Sequence, residues 1–235
     1  MRQDFGRSKP LPYTEKIMLS SFLSGDWRSA LISLLLSLPI VFIALSVHET
    51  AHGYAAYKLG DPTAKNLGRL TLNPAKHLDP LGFLCMVLFG FGWAKPVPIN
   101  TRYFKKPKRD MAITGLAGPL SNLLLALVFA ILLRLTVQFG FYMFSGTVYY
   151  VLQIFLVLGV RMNITLAVFN LIPVPPLDGS RIFLVLLPSD TYFKIMRYER
   201  YIYIALLFAL AFGLLDTPIR LVSNIFLELI MQIAF

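Results

Sequence analysis

Charge is what this chain has least of: Asp, Glu, Lys and Arg make up 14% of its 235 residues, against ~25% in an ordinary soluble domain. Residues 30–47 and 111–133 hold no charge at all. Each run reaches the ~17–25 residues that a bilayer-crossing helix needs, so a soluble fold is excluded. Cysteine is almost missing. The one thiol, Cys85, lies in the apolar run 81–94, which rules out an intramolecular disulfide framework and reads as a small buried hydrophobe. Acidic residues number 12 against 22 Lys and Arg, giving +10. Ten of those cations fall between Lys58 and Arg109 beside apolar spans, the place for a cytoplasmic loop obeying the positive-inside bias rather than a nucleic-acid surface. The basic N-terminus before residues 30–47 is not a cleaved signal, because 18 uncharged residues exceed an h-region and cleavage would cut beside His48.

What is there reads as an all-α polytopic membrane protein with about five to six transmembrane helices. Residues 1–28 mix charge with Phe22, Leu23 and Trp27 and form an interfacial arm. A single domain over 29–235 follows, with its core at about 30–188 and a C-terminal helical hairpin at about 199–235. The first span runs from about Ala30 through His48 and His52 to Gly60, where Gly then Asp-Pro stops it; Pro39 marks a kink. Residues 81–94 are too short to cross and suit a short re-entrant element, continued as extended chain over 94–100 with its alternating prolines. Further spans lie at 111–136 and 147–171, with Arg134 snorkelling at the far interface. Five crossings with the 58–110 loop in the cytosol place the N-terminus outside despite its five basic residues; an additional inserted N-terminal segment removes that conflict.

Histidine is rare too, with three in the chain, and two form His48-Glu49-Thr-Ala-His52. Positions i and i+4 share one helix face, so both imidazoles can ligate one Zn²⁺ while Glu49 stands beside the water the metal activates. His48 precedes Lys58, the next charge after Glu49, by ten residues, roughly 15 Å of helix, which puts the site inside the bilayer toward the cytoplasmic face. A catalytic zinc takes a third protein ligand. Asp178 ends the uncharged run 162–177, where an unpaired carboxylate is costly; its plain alternative is to cap the helix that starts at Gly179. Asn122, one turn after Gly118, is either a substrate-binding amide for the scissile carbonyl or oxyanion, or an interhelical hydrogen bond among small residues. His77 reads as a loop histidine at the interface or as a further ligand.

These motifs resemble one family. His48-Glu-Thr-Ala-His52 in an apolar helix, followed far downstream by Asn170-Leu-Ile-Pro-Val-Pro-Pro-Leu-Asp178-Gly, is similar to the site-2 protease family of intramembrane zinc metalloproteases. Leu59-Gly-Asp-Pro-Thr-Ala, Leu72-Asn-Pro-Ala-Lys-His-Leu-Asp-Pro-Leu-Gly82, Phe91-Gly-Trp-Ala-Lys-Pro-Val-Pro and Gly115-Leu-Ala-Gly-Pro-Leu-Ser-Asn122 resemble its compact prokaryotic branch. The resemblance implies that His48, His52 and Asp178 bind one zinc per chain, that Glu49 activates water, and that three core helices near 30–59, 111–136 and 147–178 surround the metal. It also implies transmembrane protein substrates, a cell-membrane location and no PDZ or CBS module.

An unwound substrate segment could then add to the edge of residues 94–100, an idea overturned if Lys95 to Ile99 are helical or far from the metal. The competing functions are a metal-ion transporter and a non-proteolytic membrane scaffold. The first lacks a repeated pair of broken helices, and the second has no need of an intact set of Glu49 and ligands.

Overall fold

The computed structural model describes residues 26–89, 92–188, 191, 194–195 and 197–235; the expected arm at 1–28 lies outside them up to residue 25. The described elements are helices α1 (Trp27–Lys58), α2 (Thr63–Asn66), α3 (Pro80–Phe89), α4 (Pro107–Met143), α5 (Gly146–Asn170), α6 (Asp178–Phe183), α7 (Glu199–Ala211) and α8 (Asp216–Ala234). One isolated antiparallel bridge joins Leu78 to Ala94. Four of these helices are long and apolar enough to cross a membrane: Trp27–Lys58, Pro107–Gly140, Gly146–Asn170 and Asp216–Ala234. These four, counted among the described residues, agree with an all-α polytopic membrane protein. Helices α7 and α8 fall in the stretch expected as a hairpin at 199–235, and α7 has 13 residues, about 20 Å of helix against a hydrocarbon core of ~30 Å.

The described residues divide into two compact units, one of residues up to 39 with 78–95 and one of residues 40–77 with those from 96 on. The division in α1 falls after Pro39, whose missing N–H cannot complete the helical ladder. In the first unit, the Asp79 carboxylate accepts the free N–H groups of Leu81 and Gly82 at 3.0 and 2.9 Å, starting α3. Gly82 has no Cβ to collide with the Trp93 backbone, whose carbonyl oxygen lies 2.1 Å from where that atom would stand. The expected short helix is found, and residues 92–100 after it contain no helix.

The second unit is held by α4, α5 and α8. Ala126, Phe129, Ala130 and Leu133 of α4 recur at helical spacing and meet Leu156, Val160, Ile164 and Val168 of α5 with Ile230 and Ala234 of α8. Phe129 fits because Gly159 faces its ring, 2.4 Å from where a Cβ would stand. Arg134 Nη1 donates to the Ala234 carbonyl at 2.9 Å, satisfying an end carbonyl of α8 that has no partner in its own helix. Gly140, which lies between the expected spans 111–136 and 147–171, is helical, and only residues 144 and 145 separate α4 from α5.

Candidate metal centre

The buried row of α1 in the second unit is Ile40, Ala44, His48, His52 and Ala56, one residue every i+4 and hence one stripe along the helix. The two histidines are part of this packing stripe, which is why they point into protein and not into lipid. Gly118 of α4 lies under them. A Cβ there would stand 2.4 Å from His52 Nε2 and 2.6 Å from His48 Cε1, so only glycine leaves room for both rings.

Asp178, the first residue of α6, meets them from the far end of the chain. Its Oδ2 lies 3.0 Å from His48 Nε2 and 3.0 Å from His52 Nε2, and the two Nε2 atoms are 3.0 Å apart. The loop that delivers it, residues 171–177, turns back on itself through the Leu177 N–H to Val174 carbonyl bond of 2.9 Å. Gly179 then passes the Leu171 carbonyl, which would lie 2.2 Å from a Cβ at that position. Among the described residues, His48, His52 and Asp178 are the group of His, Cys, Asp and Glu side chains close enough to share a metal ion.

The tautomers explain what the cluster can hold. His48 Nδ1 donates to Asn122 Oδ1 at 2.6 Å and His52 Nδ1 to the Thr114 carbonyl at 2.7 Å. In a neutral imidazole the other nitrogen is then a bare lone pair. Two lone pairs and a carboxylate oxygen therefore converge, an arrangement that repels itself unless a cation sits among them. Tetrahedral zinc with bonds of ~2.0–2.1 Å needs donors ~3.3 Å apart, within a few tenths of an ångström of the separations observed. The donor set fits. Burial opposes charge on Asp178, but its contacts with His48 and His52 outweigh that and hold its carboxyl below the usual range.

Glu49 projects from the same turn, and its Oε2 accepts the Val97 N–H at 2.8 Å. Val97 stands between Pro96 and Pro98, neither of which has an N–H, so it carries the sole amide donor of that tripeptide. Its buried side chain fills the space left by Gly53. The segment is anchored further on, where the Asn100 N–H donates to the fully buried Asp61 carboxylate at 2.7 Å. Asp61 in turn accepts the Thr63 N–H and hydroxyl.

Asn122 lies at the site as expected, with its amide engaged inside the protein. Nδ2 donates to the Ala44 carbonyl at 3.2 Å and to Asn163 Oδ1 at 3.0 Å, while Oδ1 accepts from His48. His77 is outside the cluster: it is buried, and its Nε2 donates to the Thr71 carbonyl, which also accepts from the Thr50 hydroxyl. Sequence reading missed Asn163 and Val97. The signal for Val97 was the Pro-Val-Pro spacing; the signal for Asn163 was an amide within a mainly apolar span.

Comparison with known proteins agrees with this geometry. A sequence profile of peptidase family M50 matches residues 36–214. The Bacillus subtilis (strain 168) protein named "Putative zinc metalloprotease YwhC" is 45% identical over 167 residues, covering 71% of this chain and 76% of that protein. "Putative zinc metalloprotease Rip2" of Mycolicibacterium smegmatis is 34% identical over 147 residues, 58% of this chain and 51% of the relative. "Putative zinc metalloprotease MJ0611" of Methanocaldococcus jannaschii is 27% identical over 179 residues, 76% of this chain and 84% of the relative. No solved structure matches. The chain belongs to peptidase family M50, the site-2 protease family of zinc metalloproteases.

Proposed function

We propose that this protein is an intramembrane endopeptidase that hydrolyses peptide bonds in or near transmembrane segments of other membrane proteins, with its site in the cell membrane toward the cytoplasmic side. The observation that carries the proposal is the convergence of His48, His52 and Asp178 beside Glu49 on a helix apolar enough to span a bilayer. Zinc held by these three residues supplies Lewis-acid polarisation and a water that loses its proton near neutral pH.

The chain's own groups do the rest. Glu49 takes the proton from the attacking water and returns it to the leaving amine nitrogen. The Val97 N–H fixes Oε2, leaving Oε1 for that transfer. Asn122, through His48 Nδ1, keeps the ring turned to the metal; holding a substrate carbonyl as well would require it to release Ala44 or Asn163. A substrate helix hides its carbonyls in its own hydrogen bonds and must unwind before attack. Residues 96–100 are non-helical and bonded to Glu49 through Val97, which supports reading them as the edge to which an unwound segment adds.

The test is proteolysis in liposomes with a panel of single-span peptides, helix-destabilised by Gly or Pro at mid-span or left as unbroken leucine, with products sized by mass spectrometry. Cleavage inside the apolar stretch of the destabilised peptides is expected, falling ~100-fold or more in Glu49→Gln while that variant keeps about one zinc per chain. Cuts confined to the aqueous flanks would overturn the intramembrane assignment. Undiminished cleavage by Glu49→Gln would remove Glu49 as the base.

A further inference from the structure

Asn163 is fully buried in α5, and the other buried residues of that helix are Leu156, Gly159, Val160, Ile164, Ala167 and Val168. A carboxamide among such neighbours is costly unless every polar atom is bonded. Its atoms are bonded, and with a direction. Nδ2 donates to the Gly159 carbonyl at 2.8 Å, one turn back in its own helix, which fixes Oδ1 on the opposite side. Oδ1 accepts from Asn122 Nδ2 at 3.0 Å. Asn122 spends its second amide hydrogen on the Ala44 carbonyl and presents Oδ1 to His48 Nδ1 at 2.6 Å.

The chain of bonds from Gly159 through Asn163 and Asn122 to His48 therefore has one polarity. A carboxamide is nearly symmetric in shape, so what distinguishes its nitrogen end from its oxygen end is its partners. Were Asn122 reversed, its NH₂ would face His48 Nδ1, which would have to accept, and the ring proton would move to Nε2. That is the atom whose lone pair the metal requires.

We infer that Asn163 is a positioning residue of the metal centre: through Asn122 it holds His48 in the Nδ1–H tautomer and keeps Nε2 free for zinc. The inference rests on the metal-centre reading and adds to it a residue on a third helix that touches neither metal nor substrate.

A double-mutant cycle on detergent-purified full-length protein tests it, with zinc Kd measured by chelator competition and helicity of the metal-free forms measured by circular dichroism. Asn163→Leu is expected to raise the Kd about 10- to 100-fold, the usual consequence of losing an outer partner of a ligating histidine. In an Asn122→Ala background the same substitution is expected to change nothing further, because the route to His48 is already cut. Asn163→Asp, whose neutral carboxyl can still accept from Asn122 and donate to Gly159, is expected to stay near the wild-type Kd. An unchanged Kd in Asn163→Leu, or an equal loss in both backgrounds, would overturn the inference while leaving the metal centre standing. A wild-type chain that takes up no zinc would overturn both.

Discussion

The two halves of α4 do different work with the same backbone. Its first half carries Thr114, Gly115, Gly118 and Asn122, where each buried group has a specific partner: Thr114 offers its carbonyl to His52, Gly118 leaves space for two rings, and Asn122 aligns His48. Its second half carries Ala126, Phe129, Ala130 and Leu133, which pack against α5 and α8. Dispersion contacts are many and individually weak, so packing can be rearranged at modest cost. A metal site needs three donor atoms placed to a fraction of an ångström. Site function should thus be brittle in the first half and tolerant in the second, although both are equally buried.

The largest effects expected are those that destroy the donor triangle. Asp178→Ala removes one corner, and Gly118→Ala puts a methyl group 2.4 Å from His52 Nε2, so one imidazole must leave. Both should lose zinc by more than the ~100-fold ceiling usual for an outer partner, and cleavage with it, as read by metal content per chain and peptide cleavage. Full zinc in Asp178→Ala would dissolve the triangle. Full zinc in Gly118→Ala would show that the first half of α4 is no more exacting than the second.

Acid should affect the two halves unequally as well. Zinc competes with protons for its ligand atoms, so its affinity falls as the solution is made more acid. Asp178, held below the usual carboxylate range, keeps its charge to lower pH than an ordinary carboxyl and adds its own loss only in stronger acid. Zinc retention followed by equilibrium dialysis from pH 8 to 5 should therefore decline while helicity, carried by the apolar seam, holds. Parallel loss of both would mean that site and seam unfold as one.

How much of this was legible beforehand follows from the same contrast. His48, Glu49, His52 and Asp178 stand out in the sequence because charge and imidazole are costly in apolar runs, and the three-dimensional triangle agrees with their spacing. The bonds that orient them were not legible. Asn163 is one amide within a span, and its bond to Asn122 crosses between helices, so no local periodicity announces it. The bond from Arg134 to a backbone carbonyl 100 positions away was equally invisible to any local pattern. Composition marks an apolar run after Tyr201 without its bounds, and in the structure α7 stops at Ala211 and the chain turns at Gly213, whose φ is +69°. The Gly60 stop was read correctly because left-handed backbone, here φ +109°, favours glycine at a helix end whatever the tertiary context.

The smallest effect expected on the site comes from the seam. Leu156 is buried on α5 against the second half of α4, two turns from Asn163 on the same helix. Leu156→Ala should leave a cavity and cost about 2 kcal/mol of stability, read by thermal or denaturant unfolding in detergent. Its zinc Kd should remain within about twofold of wild type, because no donor atom or orienting bond touches that side chain. Asn163→Leu, at similar depth in the same helix, predicts the reverse: zinc affinity lost out of proportion to stability. If both variants weakened zinc in proportion to their loss of stability, depth alone would set the response, and the polarity of the bonds reaching His48 would have no separate role.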